Sequence, residues 1–250
     1  NLAEAAWPPD PTLDDVRQLS SLYKKKADHD SAFQILQDYA ERHPEEAEIW
    51  ASIGESLLGM NDIKTAIDAL RKAIELGDNS CIVHANLGSA LHANQQYAEG
   101  LTEMRQAAAL EPSSVALQKR LAAALIMCCE YEEAEQIYRS QLAAGQVQIN
   151  EVQGNLAVAL VYLGKFDEAL EHLDHIISTQ SHDPALRFMR GLVHLLHEHR
   201  EAGWTDYKWR STSNSKQFRM LPFDKWNGEP LAGKTIVVLA EQGLGDQIMF

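Results

Sequence analysis

The stretch AEIWASIGESLLGMNDIKTAIDALRKAIELGDNS, residues 47–80, is followed directly by CIVHANLGSALHANQQYAEGLTEMRQAAALEPSS, residues 81–114. The two segments align without a gap at a spacing of 34 residues, so that Gly88 falls on Gly54. A fixed period of this length indicates a repeat protein in which each copy is one supersecondary unit. The same frame extends in both directions and gives six repeats, which begin near residues 13, 47, 81, 115, 150 and 184.

Each repeat has the apolar pattern of two helices. Apolar residues recur at steps of three and four in two runs per repeat, which predicts a pair of amphipathic α-helices. Positions are numbered here from the first residue of each repeat. Positions 8 and 20 hold small residues, which allow the paired helices to approach closely: Gly54, Gly88, Ala122, Ala157, Ala66, Gly100, Ala134 and Ala169.

Turn and core residues agree with this frame. Asn61-Asp62 and Gly164-Lys165 are turn residues between the two helices of a pair. Trp50, at position 4 of the second repeat, is predicted to lie in the core. No helix pair can bury its apolar face alone, so neighbouring pairs must stack on one another.

The six repeats resemble the tetratricopeptide repeat over residues 13–210, after an N-terminal extension at residues 1–12. The resemblance implies an all-α fold, a right-handed superhelix of about six helix pairs. It also implies a concave groove that binds a protein or peptide and is lined by positions 2, 5, 9 and 12 of the first helix in each pair. In the first four repeats those positions hold Asp14, Arg17, Ser21, Lys24, Glu48, Ala51, Glu55, Leu58, Ile82, Ala85, Ser89, His92, Ala116, Lys119, Ala123 and Ile126.

Two features of the predicted groove suggest how it binds. Lys119 and Arg120 form either an anion contact or an ordinary solvated helix face. Asn86 and Asn155 occupy position 6, which carries an asparagine ladder for peptide backbone in the superhelix of O-linked N-acetylglucosamine transferases, which this chain resembles in part. The ladder is partial, with two asparagines in six repeats. The Lys and Asn clamp that chaperone-tail binders of the family use is not found in register.

Composition limits the classes of partner. The chain has 36 acidic and 22 basic residues and a net charge of -14, which argues against binding to nucleic acid or to anionic membranes. It has no apolar run long enough to cross a bilayer and no signal-peptide pattern at its start. Cys81, Cys128 and Cys129 form a poor disulfide framework, which predicts a reducing compartment, the cytoplasm.

Histidine pairs are the only pattern that suggests a metal. His172 with His175, and His194 with His197, each place two imidazoles on one helical face. Zinc sites in proteins use three or four ligands, and no further Cys or His stands at a supporting spacing. The sequence therefore predicts neither a metal nor a cofactor.

The last residues differ from the repeats. TIVVLA, residues 235–240, is a continuous apolar run that predicts a strand buried on both faces. Gly243 and Gly245 follow in a tight turn, and a helix begins near Asp246. A linker at residues 211–234 is therefore predicted to precede a short α/β fragment at residues 235–250.

The block from Gly203 to Phe250 contains G-W-x-x-Y-x-W-R at residues 203–210, P-x-x-x-W-x-G-x-x-L-x-G-K at residues 222–234 and E-Q-G-x-G-D at residues 241–246. With these motifs it resembles bacterial tetratricopeptide proteins with a C-terminal glycosyltransferase-like domain of two Rossmann lobes. The resemblance implies that Gly243 and Gly245 contact an acceptor and that Asp246 is the base that deprotonates it; capping of the helix by Asp246 is the alternative. Residues for the rest of that domain do not fit within these 250, so the chain is expected to recruit a partner rather than to transfer sugar. The alternative is that it is the N-terminal part of an active glycosyltransferase.

A third reading is self-association through the apolar sixth repeat and the unpaired strand predicted at residues 235–240. The first helix of the sixth repeat carries an apolar patch, for which a covering segment after the repeats is the expected partner: Phe188, Met189, Leu192 and Leu195.

Overall fold

A computed structural model describes residues 11–145, 149–179 and 183–210, together with Pro230, Ala232 and Gly233. All secondary structure in these residues is helical, with twelve α-helices and no strand. The predicted fragment at 235–250, with Gly243, Gly245 and Asp246, lies outside the described residues, as does nearly all of the predicted linker. The helices are α1 (Leu13–Lys25), α2 (His29–Ala40), α3 (Ala47–Gly59), α4 (Ile63–Glu75), α5 (Cys81–Ala93), α6 (Tyr97–Leu110), α7 (Val115–Met127), α8 (Tyr131–Ala144), α9 (Ile149–Tyr162), α10 (Phe166–Thr179), α11 (Pro184–Leu196) and α12 (Arg200–Tyr207).

Side chains before several helices fix where those helices begin. Thr12 and Asp15 form a capping box at the start of α1, in which each side chain accepts from the backbone N–H of the other residue. Asp28 and Asp62 accept hydrogen bonds from the first turns of α2 and α4. Asp183 caps α11, whose first residue is Pro184.

The turn inside every helix pair uses the same backbone conformation at position 15. The residue there has a positive φ in all six repeats, and only the fifth repeat has a glycine. The predicted turns at Asn61-Asp62 and Gly164-Lys165 are confirmed at this position. The residues with positive φ are Ala27, Asn61, Gln95, Cys129, Gly164 and Glu198.

The chain divides into two compact bodies, Asn1–Ala169 and Leu170–Phe250. In the first body each helix from α1 to α8 packs on the next one along the chain, and α1, α3, α5 and α7 also contact one another in sequence. The odd-numbered helices therefore form one layer. Trp50, predicted to lie in the core, is half-buried and packs against two core clusters, one around Ile53 and the other around Leu87. Neighbouring repeats thus share their apolar cores, as the sequence predicted.

Glycines at positions 8 and 20 allow α5 and α6 to touch. A Cβ atom on Gly88 would lie 2.9 Å from the carbonyl oxygen of Gly100, closer than real Cβ contacts allow. On Gly54 it would lie 2.5 Å from Cγ of Leu70. The predicted close approach at these positions is confirmed.

In the second body, α11 packs on α12. Arg190 of α11 donates to Asp174 at 2.6 Å and to the buried Asp206 at 2.5 Å. The rings of Phe188 and Tyr207 are 5.4 Å apart. Leu192 remains 39% exposed, and the segment after residue 210 that we expect to cover it lies outside the described residues.

Candidate functional site

The predicted groove positions lie on the odd-numbered helices of the first body, and we call this surface the odd-helix face: positions 2, 5, 6, 9 and 12 of α1, α3, α5, α7 and α9. Ion pairs join successive helices across it. Arg17 of α1 pairs with Glu48 of α3. Lys119 of α7 lies 2.5 Å from Glu151 of α9. Both pairs join position 5 of one repeat to position 2 of the next.

A third pair in the same layer joins Lys24 of α1 to Glu55 of α3. Such exposed pairs add at most about 1 kcal/mol each to stability. Glu55 and Lys119, both predicted to line the groove, therefore already have partners within the protein. The sequence reasoning missed these pairs, although oppositely charged residues 31 or 32 apart in a 34-residue repeat are a usable signal.

Arg120, at position 6 of α7, is held differently from the paired cations. Its Nη2 donates to the carbonyl oxygen of Ala85 at 2.5 Å, to the hydroxyl of Ser89 at 2.7 Å and to Oδ1 of Asn86 at 3.3 Å. All three acceptors belong to α5 and all are neutral. Within the described part of the chain, neither a carboxylate nor a hydrogen bond from Nε or Nη1 accompanies them.

The environment of Arg120 is unusual for a charged group. Burial lowers the pKa of its guanidinium, which nevertheless stays protonated at neutral pH. Arg120 is therefore a half-buried cation that is oriented by neutral oxygen atoms and has three N–H groups left to donate. An anion of suitable shape would supply the missing counter-charge.

Asparagines stand on the two repeats that flank Arg120. Position 6 of α5, α7 and α9 reads Asn86, Arg120 and Asn155. Asn86 accepts from Arg120 through Oδ1, which leaves its NH₂ group to donate. Asn155 is half-buried, and its side chain makes no hydrogen bond to a residue that the structure describes. The partial ladder is thus interrupted by an arginine.

His92, predicted at position 12 of the groove, turns toward α6. Its Nδ1 lies 2.8 Å from the carbonyl oxygen of Gly88 in its own helix. Its ring also takes the space in which a Cβ on Gly100 would lie, 2.5 Å from Nδ1. His92 therefore packs between the two helices of its own repeat.

A cavity of about 620 Å³ opens on the odd-helix face between α3 and α5. Glu48, Glu55 and Asp78 contribute carboxylates to its walls, and Asn86 lies at the side toward Arg120. Ile82, which is 65% exposed, adds an apolar surface. Glu48 and Glu55 are paired with Arg17 and Lys24. In the described residues the face therefore presents the unpaired carboxylate of Asp78 and the guanidinium of Arg120, and Asn86 both lines the cavity and contacts Arg120.

Neither a metal site nor a membrane-spanning helix is found in the described residues. They contain no group of three or more His, Cys, Asp or Glu side chains arranged to hold a metal. His194 and His199 approach to 3.4 Å through their Nδ1 atoms, and burial together with Arg190 lowers the pKa of His194. None of the helices described here has the length and hydropathy needed to cross a bilayer.

Three sequence profiles of the tetratricopeptide repeat match the chain, at residues 47–77, 91–157 and 155–199. The chain is a tetratricopeptide repeat protein. The matched segments together cover more than half of it and fall on the helix pairs described above.

Two relatives of this tetratricopeptide repeat protein come from bacteria. One is NrfG, a subunit of the formate-dependent nitrite reductase complex of Escherichia coli O157:H7, 25% identical over 127 residues, which are 50% of this chain and 64% of NrfG. The other is protein FlbA of Caulobacter vibrioides, 25% identical over 171 residues, which are 66% of this chain and 28% of FlbA. The chain therefore spans less than two thirds of each.

Solved structures share the fold. A tetratricopeptide repeat protein from Parabacteroides merdae superposes with a TM-score of 0.67 at 15% identity, over 80% of this chain and 79% of that one. YrrB, a tetratricopeptide repeat protein with an unusual peptide-binding site, gives a TM-score of 0.59 at 17% identity, over 72% and 92% of the two chains. At these identities the likeness extends to the fold alone.

Proposed function

We propose that this tetratricopeptide repeat protein is a scaffold that binds an extended peptide segment of a partner protein on its odd-helix face. The observation that carries the proposal is Arg120, a half-buried guanidinium that is held by neutral acceptors and has N–H groups left to donate. The family supports it, since NrfG is a subunit of a complex and YrrB has a peptide-binding site.

The chemistry of the face specifies the peptide. A carboxylate of the peptide, either a side chain or the C-terminus, receives charge-assisted hydrogen bonds from Arg120. The NH₂ groups of Asn86 and Asn155 donate to its backbone carbonyls on either side. Exposed Ala116 and Ala123 on α7 leave room for the backbone. On the side of the 620 Å³ cavity, the carboxylate of Asp78 favours a basic residue of the peptide.

A binding experiment with one arginine variant and one lysine variant tests this proposal. Peptides are selected from a random library on the wild-type chain, and their Kd values are then measured for Arg120→Ala and Lys119→Ala. Arg120→Ala should weaken binding about 10- to 100-fold, because it removes hydrogen bonds to a charged group.

Lys119→Ala is the matched control, since Lys119 is the adjacent residue but is paired with Glu151. It should change Kd less than about threefold. Selected peptides that contain no Asp or Glu and keep their affinity when the C-terminus is amidated, or equal losses in the two variants, would remove Arg120 from the site. A selection that yields no binding peptide would argue against the scaffold itself.

A second proposal concerns a longer parent protein, in which this chain would be the recruiting arm of a glycosyltransferase. Its support is the sequence from Gly203 to Phe250. At the described start of that block, Arg210 lies 4.6 Å from the ring of Tyr207, and Arg187 of α11 lies 4.9 Å from the ring of Trp209.

The enzyme proposal is tested on the full reading frame. The parent protein is incubated with labelled nucleotide sugars, and transfer to protein or glycan acceptors is measured. Asp246→Asn should abolish transfer if Asp246 is the base. Absence of transfer by the parent, or full activity of the variant, would contradict the proposal.

The second body exposes two large apolar side chains. Leu196 and Trp204 are 60% and 57% exposed, and we propose that they support self-association. Light scattering at several concentrations tests it, and a constant monomer mass would contradict it.

We also propose that the protein is located in the cytoplasm, because its three cysteines are free. Fractionation of the native cells would test this location.

A further inference from the structure

A second cavity, of about 490 Å³, lies between the two helices of the fourth repeat, away from the odd-helix face. Apolar side chains of α7 and α8 form much of its wall, and none of its lining residues occupies a groove position. The lining residues are Pro112, Ser113, Val115, Gln118, Leu121, Glu133, Gln136, Ile137, Ser140, Gln141 and Ala144.

The second repeat has a tryptophan, Trp50, at the position that Gln118 occupies in the fourth repeat. At position 4, Nε1 of Trp50 donates to the carbonyl oxygen of Pro44 at 2.8 Å. At the same position of the fourth repeat, Nε2 of Gln118 donates to the carbonyl oxygen of Pro112 at 3.3 Å. Both bonds reach back six residues. Gln118 therefore makes the bond that the indole makes, but it fills less volume.

The walls around the two side chains correspond as well. Trp50 packs against the clusters that contain Ala69 and Ala73, at positions 23 and 27. In the fourth repeat those positions hold Ile137 and Gln141, and both line the cavity. The cavity is thus bordered by the same repeat positions, 4, 23 and 27, that lie at the indole ring and its clusters in the second repeat.

Gln141 carries a buried side-chain amide. Its side chain is 7% exposed, and among the residues that the structure describes neither Oε1 nor Nε2 has a hydrogen-bond partner. The same position in the two preceding repeats holds Ala73 and Ala107, both fully buried. A buried amide without partners is costly and rare in native proteins. Its place in the wall of a cavity points to a ligand that supplies the missing bonds.

We propose that this cavity binds a tryptophan side chain of a partner polypeptide. Val115, Leu121 and Ile137 offer the apolar surface for the ring. Oε1 of Gln141 accepts from the indole N–H, and Nε2 donates to a backbone carbonyl of the ligand. A volume of about 490 Å³ exceeds that of one ring and leaves room for adjoining backbone. The exposed hydroxyls and amide of Ser113, Gln136 and Ser140 line the rim on which that backbone would lie.

Binding of the blocked tripeptide acetyl-Gly-Trp-Gly-amide to the 250-residue chain tests the proposal, measured by calorimetry or saturation-transfer NMR. The wild type should bind it saturably. Gln118→Trp places the repeat's own indole in the cavity and should weaken binding more than about tenfold. Gln106→Trp adds the same ring at an exposed position of α6 and should leave binding unchanged. Binding should also survive Arg120→Ala, which separates this site from the odd-helix face.

Gln141→Ala provides the second variant, because it restores the residue of the preceding repeats. It should weaken tripeptide binding about three- to tenfold, while the Tm of the free protein rises. This variant decides the question if Gln118→Trp does not fold. Absence of saturable binding to the wild type, equal binding of acetyl-Gly-Ala-Gly-amide, or undiminished binding by the folded variants would overturn the proposal. If free indole binds as tightly as the tripeptide, the ligand is a small molecule rather than a polypeptide, and the proposal is overturned.

Discussion

Nη2 of Arg120 lies 2.7 Å from the hydroxyl oxygen of Ser89, which belongs to the preceding odd-numbered helix. The group that we assign to ligand binding is therefore positioned by the stacking of one repeat on another. Neither α5 nor α7 alone could orient it. The repeat packing and the proposed binding chemistry depend on the same contact.

Removing the hydroxyl of Ser89 tests this positioning. Ser89→Ala takes away one of the three acceptors that hold the guanidinium, so we expect peptide affinity to fall about threefold, less than in Arg120→Ala. Thr102→Ala, which removes an exposed hydroxyl from α6, is the control and should not change Kd. A loss in Ser89→Ala as large as that in Arg120→Ala would mean that Ser89 contacts the ligand directly.

Trp50 joins the cores of adjacent repeats, and its removal should be costly. Trp50→Ala deletes a large side chain that packs on two clusters and leaves the carbonyl oxygen of Pro44 without its donor. We expect a loss of about 3–5 kcal/mol in the free energy of unfolding, measured by urea denaturation. Leu110→Ala, at a residue 53% exposed, should cost less than about 1 kcal/mol. An unchanged midpoint for Trp50→Ala would refute the repeat register.

The turns within the helix pairs store conformational strain that glycine can relieve. Ala27 has φ of 58°, which costs a residue with a Cβ atom about 1 kcal/mol relative to glycine. Ala27→Gly should therefore stabilise the protein by up to about 1 kcal/mol in thermal or urea unfolding. Ala109→Gly, at an exposed position inside α6, should destabilise it by a similar amount. A loss of stability in Ala27→Gly would contradict the left-handed turn.

Protonation of Glu135 should make the free energy of unfolding depend on pH. Burial alone would raise the pKa of its carboxyl, but hydrogen bonds from Lys165, at 2.7 Å, and from Arg139 outweigh burial and hold the pKa below its ordinary value of 4.5. Because the folded-state pKa is depressed, this contribution is fully present above about pH 4.5 and is lost as pH falls through the folded-state pKa.

Glu135→Gln tests that dependence by urea unfolding from pH 7 to pH 3. The variant should be less stable than the wild type at pH 7 by about 1 kcal/mol, and the difference should shrink below pH 4.5, where the wild-type carboxyl takes up a proton. Glu132→Gln, at an exposed position of α8, is the control. A difference that stays constant with pH would show that the carboxylate is not preferentially stabilised in the folded state.

Much of the fold could be predicted from the sequence, because the period of 34 residues repeats the same packing problem six times. Small residues such as Gly88 and core residues such as Leu87 stand at fixed positions, so one correct alignment places all twelve helices. Arg120 could be placed on the right helix but not recognised as a half-buried cation. That property depends on how α7 is set against α5, which periodicity does not specify.

The cavity in the fourth repeat illustrates the same limit. Two differences from the second repeat, Gln118 in place of Trp50 and Gln141 in place of Ala73, are visible in the alignment. Only the structure shows that the two positions border one space and that the amide of Gln141 has no hydrogen-bond partner among the described residues.

Photo-crosslinking to native partners tests the odd-helix face most directly. p-Benzoylphenylalanine is placed either at Ala123, exposed on α7 next to Arg120, or at Gln106, exposed on α6, and crosslinked polypeptides are recovered from cells that contain the full-length protein. We predict a discrete crosslinked partner from Ala123 that disappears with Arg120→Ala, and none from Gln106. The same partner captured from Gln106 but not from Ala123 would contradict binding on this face.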